Sequence, residues 1–373
     1  MKLLFVLRNI VVHAGIERVM VDKMNYLAEN GHDVTLVTYE QGQHPIVFTL
    51  HPLVKHVDIK CCMFPLYRLR LPFRILKMWQ MIKDFKRLFS RFVTEVCPDL
   101  IITVSNAEDY MYQIMTAPNG KKVVEVHSSF PTIMLGKTLR AKVKAKVLLR
   151  AIKKCDMLIS LTCADAEYWK SYVSKVRNVP NPVAFFIDNP DVSLRLDGRI
   201  LCVSRLHEQK RIDRLIDAFS LIAQKYPSWY IDIYGDGEEK VKLETQIEKN
   251  NLVGRVNLLE PTPHIIDEYQ KSNFLVLSSD YEGMPLVLLE AMACGVPCVS
   301  TCCPFGPSEL IENGINGLLT NLDSKDFAAK MEWMITHEEE RIQMGIKAHE
   351  SAAKYKKDVI MKKWEETYKI ACM

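Results

Sequence analysis

Short apolar runs recur along this chain in two series, bounded by turn formers and separated for the most part by stretches of helical periodicity. The first series predicts strands at Leu3–Leu7, Val34–Thr38, Leu100–Val104, Val123–Val126 and Met157–Leu161. The second predicts them at Ile200–Val203, Tyr230–Tyr234, Val256–Leu259, Phe274–Ser278, Pro297–Ser300 and Gly317–Thr320. Helical spacing fills Ile16–Asn30, which stops at Gly31, and also Ile212–Lys225, Glu238–Asn250 and Pro285–Cys294; from Asp323 the pattern is helical to the end. Alternation of this kind builds parallel sheets covered by helices on both faces. The turn-rich stretches Val179-Pro180-Asn181-Pro182 and Asp188-Asn189-Pro190-Asp191 separate the two series. The expectation is an α/β chain of two doubly wound domains, 1–185 and 186–353, with a helix over 354–373 packing back toward the first. A chain of 373 residues is long enough for each domain to bury its own core.

Composition narrows the function classes. Apolar residues make up 48% and charged residues 25%, as in ordinary globular proteins. No apolar run is long enough to cross a bilayer, and Met1–Arg8 reads as a strand rather than a signal peptide because Arg8 interrupts it. The 11 cysteines are odd in number and contain no Cys-x-x-Cys. Neither a zinc nor a redox motif is supported, and a reducing cytoplasm is the simplest setting. Residues 1–190 carry 27 basic and 16 acidic side chains, a net +11, and the remainder carries −7. Positive charge concentrates in 66–92 and 137–154. In the first segment Ile75, Met78, Trp79, Ile82, Phe85, Phe89 and Phe92 recur at helical spacing. A basic helix with large aromatics over 75–92 suits an anionic membrane surface or a lipid-linked polyanionic acceptor. Packing on its own domain is the competing reading. Nucleic acid is not an expected partner, since no nucleic-acid-binding motif accompanies the charge.

Ligands of open parallel sheets bind beyond the carboxyl ends of the strands, so the cleft between two such domains is the expected site. The most informative segment follows the strand at 274–278. Gly283 allows close backbone approach. Pro285 starts a helix at the position where its missing N–H is no loss, and Gly295 and Pro297 close it. The first amides of that helix, Leu286 and Val287, form an anion site suited to a diphosphate. Glu290 stands in a helix otherwise apolar all round. A carboxylate there needs a partner, and either a pair of ribose hydroxyls or a structural cation would serve.

Glu282-x7-Glu290, with Gly283-Met284-Pro285 and Glu290-Ala291-Met292-Ala293-Cys294-Gly295-Val296-Pro297, resembles the nucleotide-sugar site of family 4 glycosyltransferases, the glycosyl transferases group 1. These are retaining enzymes of GT-B fold, with two Rossmann-like domains. Ser204-Arg205-Leu206-His207-Glu208-Gln209-Lys210 resembles their Gly-Arg-Leu-x-x-x-Lys stretch. Tyr234-Gly235-Asp236-Gly237, Asn313-Gly314-Ile315-Asn316-Gly317 and Ala14-Gly15-Ile16-Glu17-Arg18 are similar to further family turns. The likeness is strong over 199–320 and thinner over 1–190.

The resemblance implies residue roles. Glu290 binds the ribose. Arg205, Lys210, Gly15 and the amides of Leu286 and Val287 hold the diphosphate. Glu282, Gly283 and Met284 meet the transferred sugar, and backbone near Leu258 and Leu259 meets the base. His127 contacts sugar or acceptor and, with Glu282, stands closest to the chemistry. No metal is expected: two fixed cations and a helix N-terminus can stabilise the leaving diphosphate, and Asp280-Tyr281-Glu282 is only the nearest approach to a metal motif. The reaction implied is retaining transfer of a hexose or N-acetylhexosamine from a nucleotide-diphosphate sugar, UDP preferred. The acceptor hydroxyl belongs to a saccharide, lipid-linked at the inner face of the cytoplasmic membrane, in surface-polysaccharide assembly. GDP-mannose as donor, or hydrolase or epimerase chemistry on the same fold, is the alternative. A nicotinamide-dependent oxidoreductase is disfavoured because no Gly-x-Gly-x-x-Gly follows Leu7 or Val203. A non-catalytic binding module would tolerate loss of Arg205, Lys210 or Glu282, all of which are present.

Overall fold

A computed structural model describes residues 1–12, 15–63, 70–105, 110–130 and 139–373. Ala14 and the first residues of the two basic segments, 66–69 and 137–138, lie outside them. The chain divides into two compact units, Met1–Pro180 with Met361–Met373, and Asn181–Ile360.

The first unit holds a parallel sheet of β1 (Lys2–Leu7), β2 (Asp33–Thr38), β3 (Lys55–Asp58), β4 (Leu100–Val104), β5 (Lys121–Val126), β6 (Met157–Ser160) and β7 (Val176–Asn178), in the order β3-β2-β1-β4-β5-β6-β7. The second holds β8 (Arg199–Val203), β9 (Tyr230–Tyr234), β10 (Val256–Leu259), β11 (Phe274–Leu277), β12 (Cys298–Thr301) and β13 (Gly317–Thr320), in the order β10-β9-β8-β11-β12-β13. Central strands such as β4, β6 and β11 are buried along their whole length. That is why they read as unbroken apolar runs rather than alternating ones. All eleven strands expected from the sequence are present. The two additional ones, β3 and β7, are the edges of the first sheet and are largely exposed.

Strand order reverses between β1 and β4 in the first sheet and between β8 and β11 in the second. These are the topological switch points at which open α/β sheets leave a crevice beyond their strand ends. The helix Gly15–Glu29 follows β1 and ends in a Schellman motif. Gly31 takes φ +80°, His32 N–H donates to Leu27 O (3.0 Å) and Gly31 N–H to Ala28 O (3.1 Å). The helix Leu286–Ala293 ends the same way around Gly295 (φ +69°), with Val296 N–H on Ala291 O at 2.9 Å.

The basic aromatic helix runs Leu71–Val96, with proline in its first turn. Its second half packs: Phe85, Phe89 and Val93 are fully buried, and Phe85 stacks on Tyr110. Its first half does not: Phe73, Leu76 and Trp79 are 68%, 68% and 58% exposed. The helix Leu139–Ile152 likewise exposes Val143 and Val147 among its lysines. No helix among the described residues is long and apolar enough to cross a membrane. The C-terminal helix, Lys357–Cys372, closes the first unit: Trp364 Nε1 donates to Pro180 O (2.9 Å), and Tyr368 meets Phe5 edge-on.

Candidate active site

The second switch point gathers the motif residues of the second unit. The loop after β8 and the loop after β11 are tied together by backbone and side-chain bonds. Asp280 N–H donates to Gln209 O (3.0 Å), Gln209 Nε2 to Tyr281 O (2.7 Å), and Ser278 Oγ to Lys210 O (2.8 Å). The loop after β9 closes against them so tightly that a Cβ on Gly235 would stand 1.8 Å from Ser204 O, and one on Gly237 2.3 Å from Leu206 O. Only glycine fits such an approach, so this Gly-x-Gly serves loop packing.

Within this frame Lys210 Nζ donates to Glu282 Oε1 at 2.7 Å, with side chains 16% and 9% exposed. Ser279 Oγ donates to the same oxygen at 2.6 Å. Asp280 is taken up by Arg214, at 2.5 Å, and by Arg211, at 3.2 Å. Both carboxylates of the Asp280-Tyr281-Glu282 stretch are thus committed to cations of the protein. Arg205 is exposed and has no ion-pair partner among the described residues. Behind Glu282, Phe305 bridges to its backbone and adopts φ +78°, a conformation that costs an aromatic residue about 1–3 kcal/mol. The next residue must be glycine, since a Cβ on Gly306 would lie 2.5 Å from Gly283 O.

Pro285 is the N-cap of its helix (φ −74°, ψ 103°) rather than its first turn. Leu286 and Val287, both half-buried, therefore supply the first amides, ahead of the first intrahelical bond from Leu288 N–H to Pro285 O. Glu290 is half-buried and accepts from Tyr269 Oη at 2.8 Å. The partner the apolar helix demanded includes a tyrosine. Burial, then the Glu290 charge, raises the Tyr269 hydroxyl well above its usual range, so it remains a donor. Met284 is buried, its sulfur accepting Asn181 N–H at 3.3 Å. Leu258 and Leu259 lie at the end of the edge strand β10, where Leu259 O accepts Gly235 N–H at 2.9 Å.

In the first unit a cavity of about 220 Å3 opens at the switch point, lined by Leu7 and Arg8, by Asn9, by Ile16, Glu17 and Met20 of the first helix, and by Val104. Gly15 begins that helix. His127 follows β5 directly, its side chain 1% exposed. Its Nε2 lies 3.0 Å from Glu125 Oε2, and Nδ1 has no partner among the described residues. Glu125 also takes Lys23 Nζ at 2.5 Å and the Tyr368 hydroxyl. Lys23 sits 3.0 Å from the centre of the Trp364 ring. Lys23, Glu125 and Tyr368 are functional candidates that the sequence motifs passed over. The signal available was the one applied to Glu290: a charge inside an apolar pattern, Glu125 within Val123-Val124-Glu125-Val126 and Lys23 beside Met20, Met24 and Leu27.

Residues 195–351 match the family described as Glycosyl transferases group 1, and residues 13–184 match Glycosyltransferase Family 4. The chain belongs to the family 4, group 1 glycosyltransferases. Over 98% of its length it is 28% identical to an uncharacterized glycosyltransferase of Haemophilus influenzae, covering 99% of that protein. The amylovoran biosynthesis glycosyltransferase AmsD of Erwinia amylovora is 27% identical, with 98% of this chain and 99% of that one covered. S. aureus TarM in complex with Fondaparinux, alpha-GlcNAc-glycerol and UDP superposes with a TM-score of 0.78 at 16% identity, over 98% of this chain and 99% of that one. The two parallel-sheet units of this glycosyltransferase are thus the GT-B fold.

Proposed function

We propose that this glycosyltransferase moves a hexose or N-acetylhexosamine, with retention, from a UDP-sugar to a saccharide hydroxyl in surface-polysaccharide assembly. The observation that carries the reading is the set of cations at the second switch point. Lys210 is held by Glu282, and Arg205 stands exposed beside it in sequence on the same loop. The helix Leu286–Ala293 adds its first amides. A diphosphate is the group such cations and amides stabilise as it leaves. Glu290 then meets the ribose, backbone at Leu258 and Leu259 the base, and Glu282, Gly283 and Met284 the sugar. Gly15 adds a backbone amide for the phosphate, and His127 contacts sugar or acceptor. The amylovoran relative supports polysaccharide synthesis as the setting, and UDP in the TarM complex supports the nucleotide.

Metal-independent transfer is part of the proposal. Asp280 and Glu282 would have to give up Arg211, Arg214 and Lys210 before they could ligate a divalent ion. In a retaining transfer without an enzymic nucleophile, the acceptor hydroxyl enters on the face the diphosphate leaves, and a diphosphate oxygen takes its proton. The lipid-linked acceptor and peripheral contact with an anionic membrane, at the cytoplasmic face, rest on the first unit. Phe73, Leu76 and Trp79 stand exposed beside Arg74 and Lys77, the pairing of large apolar and cationic groups that partitions into an anionic interface.

A thermal-shift screen tests the donor. A ligand that binds only the folded state raises the melting temperature by mass action. The expected result is stabilisation by UDP and by one UDP-sugar, equal with and without EDTA. Preference for GDP keeps the enzyme class and moves the donor to GDP-mannose. Dependence on a divalent ion overturns metal independence, and no shift with any nucleotide overturns the donor reading.

A further inference from the structure

The first unit buries three ionisable side chains in one cluster at the end of β5: Lys23, Glu125 and His127, with side chains 0%, 0% and 1% exposed. An ion pair taken wholly out of water recovers its desolvation cost only when the remaining hydrogen-bonding capacity is also met. Here it is met for Glu125 from three elements. Lys23 reaches it from the first helix at 2.5 Å, His127 from the strand end at 3.0 Å, and the Tyr368 hydroxyl from the C-terminal helix. Lys23 in turn lies against the Trp364 ring, a face that attracts a cation. An ionised carboxylate can only accept. Lys23 and Tyr368 donate to Glu125, and His127 must therefore donate through Nε2.

That assignment leaves the other ring nitrogen as an acceptor. His127 Nδ1 is buried and has no partner among the described residues. A buried polar atom left unmatched is uncommon and costly, and His127 follows the carboxyl end of β5, the end at which these sheets bind ligands. A sugar hydroxyl is a donor that would complete it.

We propose that Glu125, Lys23 and Tyr368 are positioning residues that fix His127 with its proton on Nε2 and aim the Nδ1 lone pair at a substrate hydroxyl. This rests on the reading of His127 as a sugar or acceptor contact. The division of labour is specific. Glu125 chooses the tautomer and fixes the ring. Lys23 supplies the charge that Glu125 needs, so that His127 does not have to become a cation. Tyr368 takes the second carboxylate oxygen and brings the C-terminal helix into the arrangement. The direction of the titration agrees: burial, reinforced by the Lys23 charge, outweighs Glu125 and keeps His127 below its ordinary value. Burial lowers Lys23 to about 8, and Glu125 partly offsets this, so the ammonium stays charged at neutral pH.

The test is nitrogen-15 NMR of histidine-labelled full-length protein, with the His127 signals assigned through His127→Gln. The wild type is expected to show one neutral tautomer, protonated on Nε2, from pH 6 to 8. In Lys23→Met the cation is gone, and His127 should become protonated across that range. In Tyr368→Phe, which removes one hydroxyl and keeps the ring, the tautomers should mix and the histidine should titrate upward. UDP-glucose or UDP-N-acetylglucosamine should move the Nδ1 resonance, and UDP alone should not. The rate of UDP release should fall about tenfold in Tyr368→Phe with KM for the nucleotide sugar within about twofold. Protonation on Nδ1 in the wild type overturns the proposal. So does an unchanged His127 signal in folded Tyr368→Phe. If the signal responds to both substitutions but to neither nucleotide sugar, His127 is not a contact of the donor sugar and the proposal fails. Calorimetric binding of UDP in the same samples shows whether the donor site of the second unit still stands.

Discussion

Each unit couples a lysine to a glutamate near the carboxyl ends of its strands, and the two couples are built differently. Lys23–Glu125 is sealed, with no exposure on either side chain. Lys210–Glu282 keeps 16% and 9% of its side chains in contact with water, and the neighbouring Arg211–Asp280 pair about a third on each side. A sealed pair cannot exchange partners without leaving a bare charge in a low dielectric. A pair at the water boundary can, because solvent and ligand oxygen replace a carboxylate at small cost. On the function proposed above, the difference separates two duties: the first couple fixes geometry, and the second holds cations in readiness for an anionic ligand.

The largest predicted effect tests the seal. Lys23→Met leaves Glu125 with only His127 to compensate it and should cost roughly 3–5 kcal/mol of stability, read by urea unfolding of the full chain. Lys210→Met should cost only about 1 kcal/mol. Equal losses would erase the distinction. Next comes donor affinity, with the order reversed. Lys210→Ala and Glu290→Ala should each weaken UDP binding by roughly 10–100-fold, the worth of one charge-assisted hydrogen bond. His127→Gln should leave UDP affinity nearly unchanged, and calorimetry reads all three.

Acid then sharpens the comparison. Burial would raise the Glu125 carboxyl, but Lys23, followed by His127, overrides it and holds the carboxyl down at about 2. Its contribution is present above the unfolded carboxyl value of about 4.5 and is lost as pH falls from there toward 2. Glu125→Gln should therefore flatten the stability profile between pH 4.5 and 2, read by urea unfolding across that range. The smallest effect concerns the basic half. Lys77→Glu with Trp79→Ser should reduce binding of the full chain to anionic vesicles by about tenfold or more, at about 1 kcal/mol per basic side chain. Unchanged binding would favour the packed-helix reading of 75–92.

The second unit was the more legible in sequence. Its strands β9, β10 and β13 fall on the predicted residues, because each is an apolar run closed by turn formers. The first sheet's edges were not legible. Lys55–Asp58 and Val176–Asn178 are short and mostly exposed, so no apolar pattern marks them. At the site, motif spacing located Lys210, Glu282 and Glu290 but not their partners. Lys210 and Glu282 lie 72 residues apart and Glu290 lies 21 from Tyr269, and only the folded backbone brings them together. Tyr368 is 243 residues from Glu125. Nothing local to the sequence connects a tyrosine of the last helix to a glutamate in the fifth strand.

The assignment of Met361–Met373 to the first unit has a consequence for biosynthesis. A ribosome makes the chain from its N-terminus, and domains generally fold as units as they emerge. The second unit, Asn181–Ile360, is complete in the growing chain before Trp364 and Tyr368 exist. The first unit, begun earliest, is finished last. Until then Glu125 lacks the hydroxyl that satisfies its second oxygen, and Lys23 lacks its aromatic cover. The nascent protein therefore carries a complete second unit ahead of a first unit whose histidine is not yet fixed, and the turns of the helix Lys357–Cys372 set the moment at which it is.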